Sequence, residues 1–121
     1  MPRLLIVDDN RIILELLLKE LAQENIQVLT LNTIELFWEY IGTHRPDLVL
    51  LGLHSESFDS WQVLNNIKKN FPSLPVLIYI IKSDHSIFSL KQAIKEVLKN
   101  RSISSAFMFH GYKKPKYDRA E

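Results

Sequence analysis

Apolar and polar positions fall along this chain in blocks, and the period changes from block to block. Residues 4–7 are an unbroken apolar run, Leu-Leu-Ile-Val, that stops at Asp8-Asp9-Asn10. Such a run predicts a strand buried on both faces of a parallel sheet. Ile12, Ile13, Leu14, Leu16, Leu17, Leu18 and Leu21 then predict a helix with a broad apolar face, its wet side at Glu15, Lys19, Glu20 and Gln23. Asp9 or Asn10 suits its N-cap, and Asn25 its end. Residues 26–31 read as a second strand. Residues 33–42 read as a second helix, with Ile34, Phe37, Trp38 and Ile41 inward and Gly42 at its C-terminal cap. Pro46 forbids further helix and opens a third strand, whose residues 48–51 are all Leu or Val. After a polar loop at 54–60, residues 61–70 predict a third helix, with Trp61, Val63, Leu64 and Ile67 on its core side. Pro72 and Pro75 bracket a turn into a fourth strand at 76–81. Ser83 or Asp84 starts a fourth helix, with Ile87, Leu90, Ala93, Ile94, Val97 and Leu98 on one face, ending near Asn100. Residues 106–109 read either as a short fifth strand or as an apolar anchor in an extended tail.

Strand and helix alternate four times, which implies a parallel sheet with helices on both faces. The 121 residues suffice for one domain with one core. A hydrophobic fraction of 46% is ordinary for a globular protein. The formal charge of +1 points neither to nucleic acid nor to an anionic membrane surface. Without cysteine there is no disulfide framework and no thiolate metal site, which fits a cytoplasmic setting. No apolar run approaches the roughly 18 residues of a membrane span, and the acidic pair at 8 and 9 interrupts any signal-peptide pattern.

Candidate chemistry gathers where the strands end. In doubly wound sheets, ligands bind beyond the carboxyl ends of the strands, near the switch in strand order. Asp8 and Asp9 end the first strand, and Gly52 ends the third. Two carboxylates there would suit a hard divalent cation such as Mg²⁺. Their mutual repulsion should raise the pKa of one of them when no cation is bound. The alternative is that the pair merely caps the helix. His44, His54, His85 and His110 show no metal-binding spacing, and Trp38 and Trp61 read as core. Lys113, Lys114, Lys116 and Arg119, set against Asp118 and Glu121, read as a solvated basic tail.

The two segments 5–10 (Leu-Ile-Val-Asp-Asp-Asn) and 46–53 (Pro-Asp-Leu-Val-Leu-Leu-Gly-Leu) resemble the receiver domain of bacterial response regulators. The resemblance covers residues 3 to about 100. It implies a flavodoxin-like (CheY-like) doubly wound parallel sheet in three α/β/α layers, here shortened to about four βα units. The receiver would span 1–100, and 101–121 would be a linker or tail, with a short strand at 105–110 as one reading. The resemblance also implies that position 52 is the phosphoacceptor aspartate, that Asp8 and Asp9 help hold Mg²⁺, and that the His54 backbone carbonyl completes the cation site.

This sequence departs from that pattern. Gly52 has no side chain and cannot accept a phosphoryl group, so no catalytic residue is assigned and Mg²⁺ binding is expected to be weak or lost. Asp59-Ser60-Trp61 stands where many receivers have aspartate, glycine and an apolar or aromatic residue, and Glu56 replaces a frequent loop proline. Ile80 falls where strand four would end in a switch hydroxyl. The favoured alignment instead takes residues 79–84 (Tyr-Ile-Ile-Lys-Ser-Asp) as the end of strand five and residues 89–98 as the last helix before a DNA-binding output domain. Strands four and five would then be fused, with a βα unit missing, and Lys82 would be the remnant of the phosphate-pairing lysine. In the other alignment, residues 85–100 are helix four, 105–110 is strand five, and helix five is absent.

The expected function is a phosphorylation-independent signalling module of a two-component phosphorelay, not an enzyme. It would bind a sensor kinase, another receiver or an output protein. A homodimer or tail-exchanged assembly is expected to cover the sheet edge left by the shortening. The alternatives are a receiver phosphorylated at Asp59 or Asp47, and a remnant or fragment of a DNA-binding regulator. Nucleic acid and membrane are not expected partners of this chain alone.

Overall fold

The computed structural model describes residues 1–53, 55–99 and 107–110. The elements are β1 (Arg3–Val7), α1 (Arg11–Leu21), β2 (Gln27–Leu31), α2 (Ile34–Ile41), β3 (Leu48–Gly52), α3 (Ser60–Asn70), β4 (Val76–Tyr79), α4 (Asp84–Lys99) and β5 (Phe107–His110). The five strands form one sheet in the order β2-β1-β3-β4-β5. Every pairing is parallel. The continuous apolar runs of β1, β3 and β4 lie at its centre and are buried on both faces, as their sequences demand.

Alternate strand residues feed two separate cores. Leu4, Ile6, Leu48, Leu50, Leu77 and Tyr79 pack beneath α1 and α4. Leu5, Val7, Val49, Leu51, Val76 and Ile78 pack beneath α2 and α3. The helices begin where short polar side chains accept backbone N–H groups. Asn10 Oδ1 accepts from Ile13, Thr33 Oγ1 from Leu36, and Asp59 Oδ1 from Trp61 and Gln62. Helix α4 is held beside α1 by Lys91 paired to Glu20 and Glu24 (3.1 and 3.4 Å) and by Lys95 paired to Glu24 (3.3 Å).

Three expectations are corrected. First, strands four and five are not fused. β4 ends at Tyr79, in register with the last residue of β3, and β5 is a separate strand at residues 107–110. The apolar run continues to Ile81, but its last two residues lie beyond the end of β3, and among the described residues no strand pairs with them. Second, the buried stripe of α1 is narrower than its composition suggests. Leu14, Leu17 and Leu21 are buried, whereas Ile12 is 70% exposed and Leu16 and Leu18 are also exposed. Third, Trp61 is 41% exposed rather than core, because it stands in the first turn of α3 while Val63, Leu64 and Ile67 take the inner face.

The connections carry a topological irregularity. α1 takes the chain from β1 outward to β2 on one face of the sheet. α2 and α3 take it in the opposite direction, to β3 and then β4, on the other face. Reversing both direction and face preserves the hand, so these three crossovers share one hand. α4 takes the chain from β4 to β5 in the same direction as α3, but on the face of α1. The fourth crossover therefore has the opposite hand, the one adopted by roughly 2% of such units.

Candidate functional site

The carboxyl ends of β1, β3 and β4 meet beneath the loop that leads into α3. Asp8 follows β1 directly, and its N–H donates to Leu31 O at 3.1 Å, continuing the ladder to β2. Gly52 ends β3 and stands in register with Tyr79 on β4. The sheet thus brings Asp8, Gly52 and Tyr79 together from positions far apart in the chain.

The Asp8 carboxylate lies over Gly52. A Cβ added at Gly52 would stand 2.7 Å from Asp8 Cγ and 3.1 Å from Oδ1. No real side chain tolerates such a contact, so Asp8 fills the space in which a residue-52 side chain would begin. Two donors hold it there. The Tyr79 hydroxyl donates to Oδ2 at 2.7 Å, and the Asn10 N–H donates to Oδ1 at 2.9 Å. Asp8 is 6% exposed and Tyr79 is fully buried. Burial raises the Asp8 pKa. The Tyr79 and Asn10 hydrogen bonds offset this only in part, and the neighbouring Asp9 charge adds to the rise. The Tyr79 phenol is pushed well above its ordinary value, first by burial and then by the Asp8 charge, so it stays protonated and donating. A cleft of about 220 Å³ opens over this pair, walled by Ile13, Leu53, Ile80 and Ile81.

Asp9 has a different task. Its Oδ2 accepts the backbone N–H groups of Glu56 and Ser57, both at 2.9 Å, and so ties the β3–α3 loop to the end of β1. Partial burial acts to raise its pKa. The Ser57 side chain and amide, the Ser55 hydroxyl and the Glu56 amide outweigh that and hold it below the ordinary carboxylate range. The Ser55 hydroxyl is buried and favours the carboxylate by proximity, although it completes no well-formed hydrogen bond. The raised pKa expected for one member of the pair is that of Asp8, and burial rather than Asp9 is its main cause.

Ser60, where many receivers carry glycine, donates its hydroxyl to Gly52 O at 2.5 Å in a buried bond. The loop is therefore fastened to two strand ends, to that of β1 through Asp9 and to that of β3 through Ser60. Lys82 follows β4 rather than strand five, and its N–H donates to Ser86 Oγ at 3.3 Å. Asp59 is the N-cap of α3. Asp47 lies at the opposite end of the sheet, where it accepts the Arg3 N–H at 2.7 Å. His54 and the tail lysines lie outside the described residues. Among the described residues, no three His, Cys, Asp or Glu side chains gather closely enough to hold a metal ion. Sequence reasoning missed Tyr79. Its signal was a hydroxyl-bearing aromatic in an otherwise aliphatic buried strand, because a buried tyrosine must find its O–H a partner.

The sequence profile of the response regulator receiver domain matches residues 4–101. The chain belongs to this family. Response regulator GtcR of Aneurinibacillus migulanus is 30% identical to this receiver over 83 residues, which are 69% of this chain and 34% of that protein. The match thus spans about a third of that relative's length. Among solved structures, response regulator TrrA of Thermotoga maritima, in complex with Mg²⁺-BeF, superposes with a TM-score of 0.65 at 21% identity. That match covers 99% of this receiver and 93% of TrrA. NtrX of Brucella abortus gives a TM-score of 0.63 at 27% identity, covering 97% of this receiver and 25% of NtrX. Among the described residues, no helix is long and apolar enough to cross a membrane.

Proposed function

We propose that this receiver is a phosphorylation-independent interaction module of a two-component system, acting in the cytoplasm without catalytic activity of its own. One observation carries the reading: the space that an acceptor side chain at position 52 would occupy is taken by the Asp8 carboxylate, which Tyr79 holds there. A site whose nucleophile is missing and whose place is filled by a hydrogen-bonded neighbour has nothing to phosphorylate. Its conformation then responds only to a partner that binds one arrangement better than another. The partner classes proposed are a sensor kinase, another receiver or an output protein.

Mg²⁺ fits this donor set poorly. It demands near-octahedral oxygen ligands, whereas Asp8 is turned to Tyr79 and Asn10, and Asp9 Oδ2 already accepts two amides. We therefore propose weak Mg²⁺ binding, through Asp9 with Asp8 and the backbone carbonyl of His54. Lys82 as a phosphate-pairing remnant rested on the fused-strand alignment, and its place after β4 disfavours that role. Phosphorylation at Asp59 or Asp47 is likewise disfavoured, since one caps α3 and the other lies at the far end of the sheet. The second reading, a remnant or fragment of a longer response regulator, draws on relatives of which the match spans a third (GtcR) and a quarter (NtrX), but nothing in this chain's charge favours nucleic acid as its own partner.

The test is incubation with acetyl phosphate and Mg²⁺, followed by intact-mass measurement. The expected spectrum is that of the unmodified chain. A stoichiometric phosphate adduct would overturn the reading, and peptide mapping would then name the acceptor.

A further inference from the structure

The hand of the β4-α4-β5 crossover points to a second copy of this chain. α4 is not free to change faces. Its Leu90 and Ile94 are fully buried in the core it shares with α1, and three ion pairs fasten Lys91 and Lys95 to Glu20 and Glu24. The rare hand is therefore not removed by moving the helix. It is removed only if the strand that pairs with β4 is not the one that α4 of the same chain delivers. The handedness rule constrains strands connected within one chain, because a right-twisted strand and its helix pack back onto the sheet in one way. It does not constrain a strand donated by another molecule.

β4 needs such a neighbour. Val76, Leu77, Ile78 and Tyr79 are all essentially inaccessible, and without residues 107–110 their strand would be a bare apolar edge. Edges of that kind recruit a strand from another chain. The segment that supplies the pairing is itself apolar, Phe-Met-Phe-His, and joins β4 in parallel register from Val76↔Phe107 to Tyr79↔His110. We propose that two copies exchange this strand, each donating Phe107–His110 to the other's β4 in that register. The result is a closed, twofold-symmetric dimer of the strand-swapped kind. The proposal is independent of the phosphorylation reading, and either can fail alone.

The chain has no cysteine, so introduced thiols report without background. Val76→Cys and Phe107→Cys mark two ends of one registered pair. The two single variants are refolded together, oxidised and run without reductant, with each variant alone as control. Circular dichroism checks that all fold like the parent. The expected result is a covalent pair at twice the 14.2 kDa chain mass, formed only in the mixture. The unmodified chain should sediment at the same doubled mass at micromolar concentration. An intramolecular disulfide in the doubly substituted chain, with the unmodified chain sedimenting as monomer, would overturn the proposal. So would failure of the mixture to cross-link, or cross-linking by either variant alone.

Discussion

Replacing Gly52 by alanine tests whether Asp8 and Tyr79 work as one unit with that glycine. The added Cβ would stand 2.7 Å from Asp8 Cγ, so the carboxylate has to move. Moving the end of a side chain is sterically cheap. The cost arises because Asp8 leaves the Tyr79 hydroxyl, which is fully buried and then has no acceptor. An unsatisfied buried donor costs about 1–3 kcal/mol. Against this, alanine at the end of a strand recovers no more than about 0.5–1 kcal/mol of glycine's backbone entropy. Gly52→Ala should therefore destabilise the fold by up to about 2.5 kcal/mol net. Tyr79→Phe removes the same bond from the other side and strands the Asp8 carboxylate, again at about 1–3 kcal/mol. The two changes share one interaction, so they should not add. In the Tyr79→Phe background no hydroxyl remains to be orphaned, and Gly52→Ala should be neutral or stabilising by a few tenths of a kcal/mol. Urea denaturation of the four proteins, at constant slope with denaturant, measures the cycle. Additive effects, within about 0.3–0.5 kcal/mol, would refute the claim that position 52 is glycine because Asp8 occupies its space.

Two further predictions concern the surroundings. Ser60→Ala removes the buried bond to Gly52 O and should lower stability by about 1–2 kcal/mol in the same denaturation assay, whereas Ser60→Thr, which keeps the hydroxyl, should lose less. The α1–α4 ion pairs should act on the acid side of the stability profile. The Lys95 and Lys91 ammonium groups hold the Glu24 pKa below its ordinary value of 4.5. Its contribution is thus fully present above that value and disappears as pH falls through the lowered one. Glu24→Gln should flatten the profile below pH 4.5 and leave its shape above pH 6 unchanged, and high salt should do the same to the parent.

Much of this architecture is written locally. The runs at residues 4–7 and 48–51 announce strands buried on both faces, and Asn10 announces a helix start, because each feature depends on neighbours in the chain. Gly52, Asp8 and Asp9 could be assigned to one site because the strand ends had to converge there. What was not legible depends on distance. The Asp8–Tyr79 bond joins residues 71 positions apart, and no periodicity reports where a phenol hydroxyl will point. The end of β4 was hidden because residues 76–81 are apolar throughout, and an apolar run does not mark where its sheet partner stops. Trp61 and Ile12 misled for the converse reason: an apolar residue on a helix does not show how wide a stripe the sheet beneath it can cover.

Restoring the acceptor by Gly52→Asp should not restore phosphorylation-driven switching, and the geometry gives the reason. The new carboxylate would enter a space already filled by Asp8, so two carboxylates would compete for one volume, next to Asp9 and beside a buried phenol. Like charges so close cannot both ionise readily, and the protonated member is a poor nucleophile. Even a phosphorylated residue 52 would find Ile80 at the position that the conventional alignment with the family assigns to the switch hydroxyl. Lys82 stands after strand four rather than at the end of strand five. The loop that would have to rearrange is fastened by Asp9 to two amides and by Ser60 to Gly52 O. The expected outcome with acetyl phosphate and Mg²⁺ is at most a substoichiometric adduct on Gly52→Asp, with no change in sedimentation. Combining Gly52→Asp with Tyr79→Val removes the restraint on residue 8 while leaving both carboxylates of the acidic pair available to the cation, so the adduct should rise. A stoichiometric adduct on Gly52→Asp alone, accompanied by a change in assembly, would show that the switch was intact and that only its acceptor had been lost.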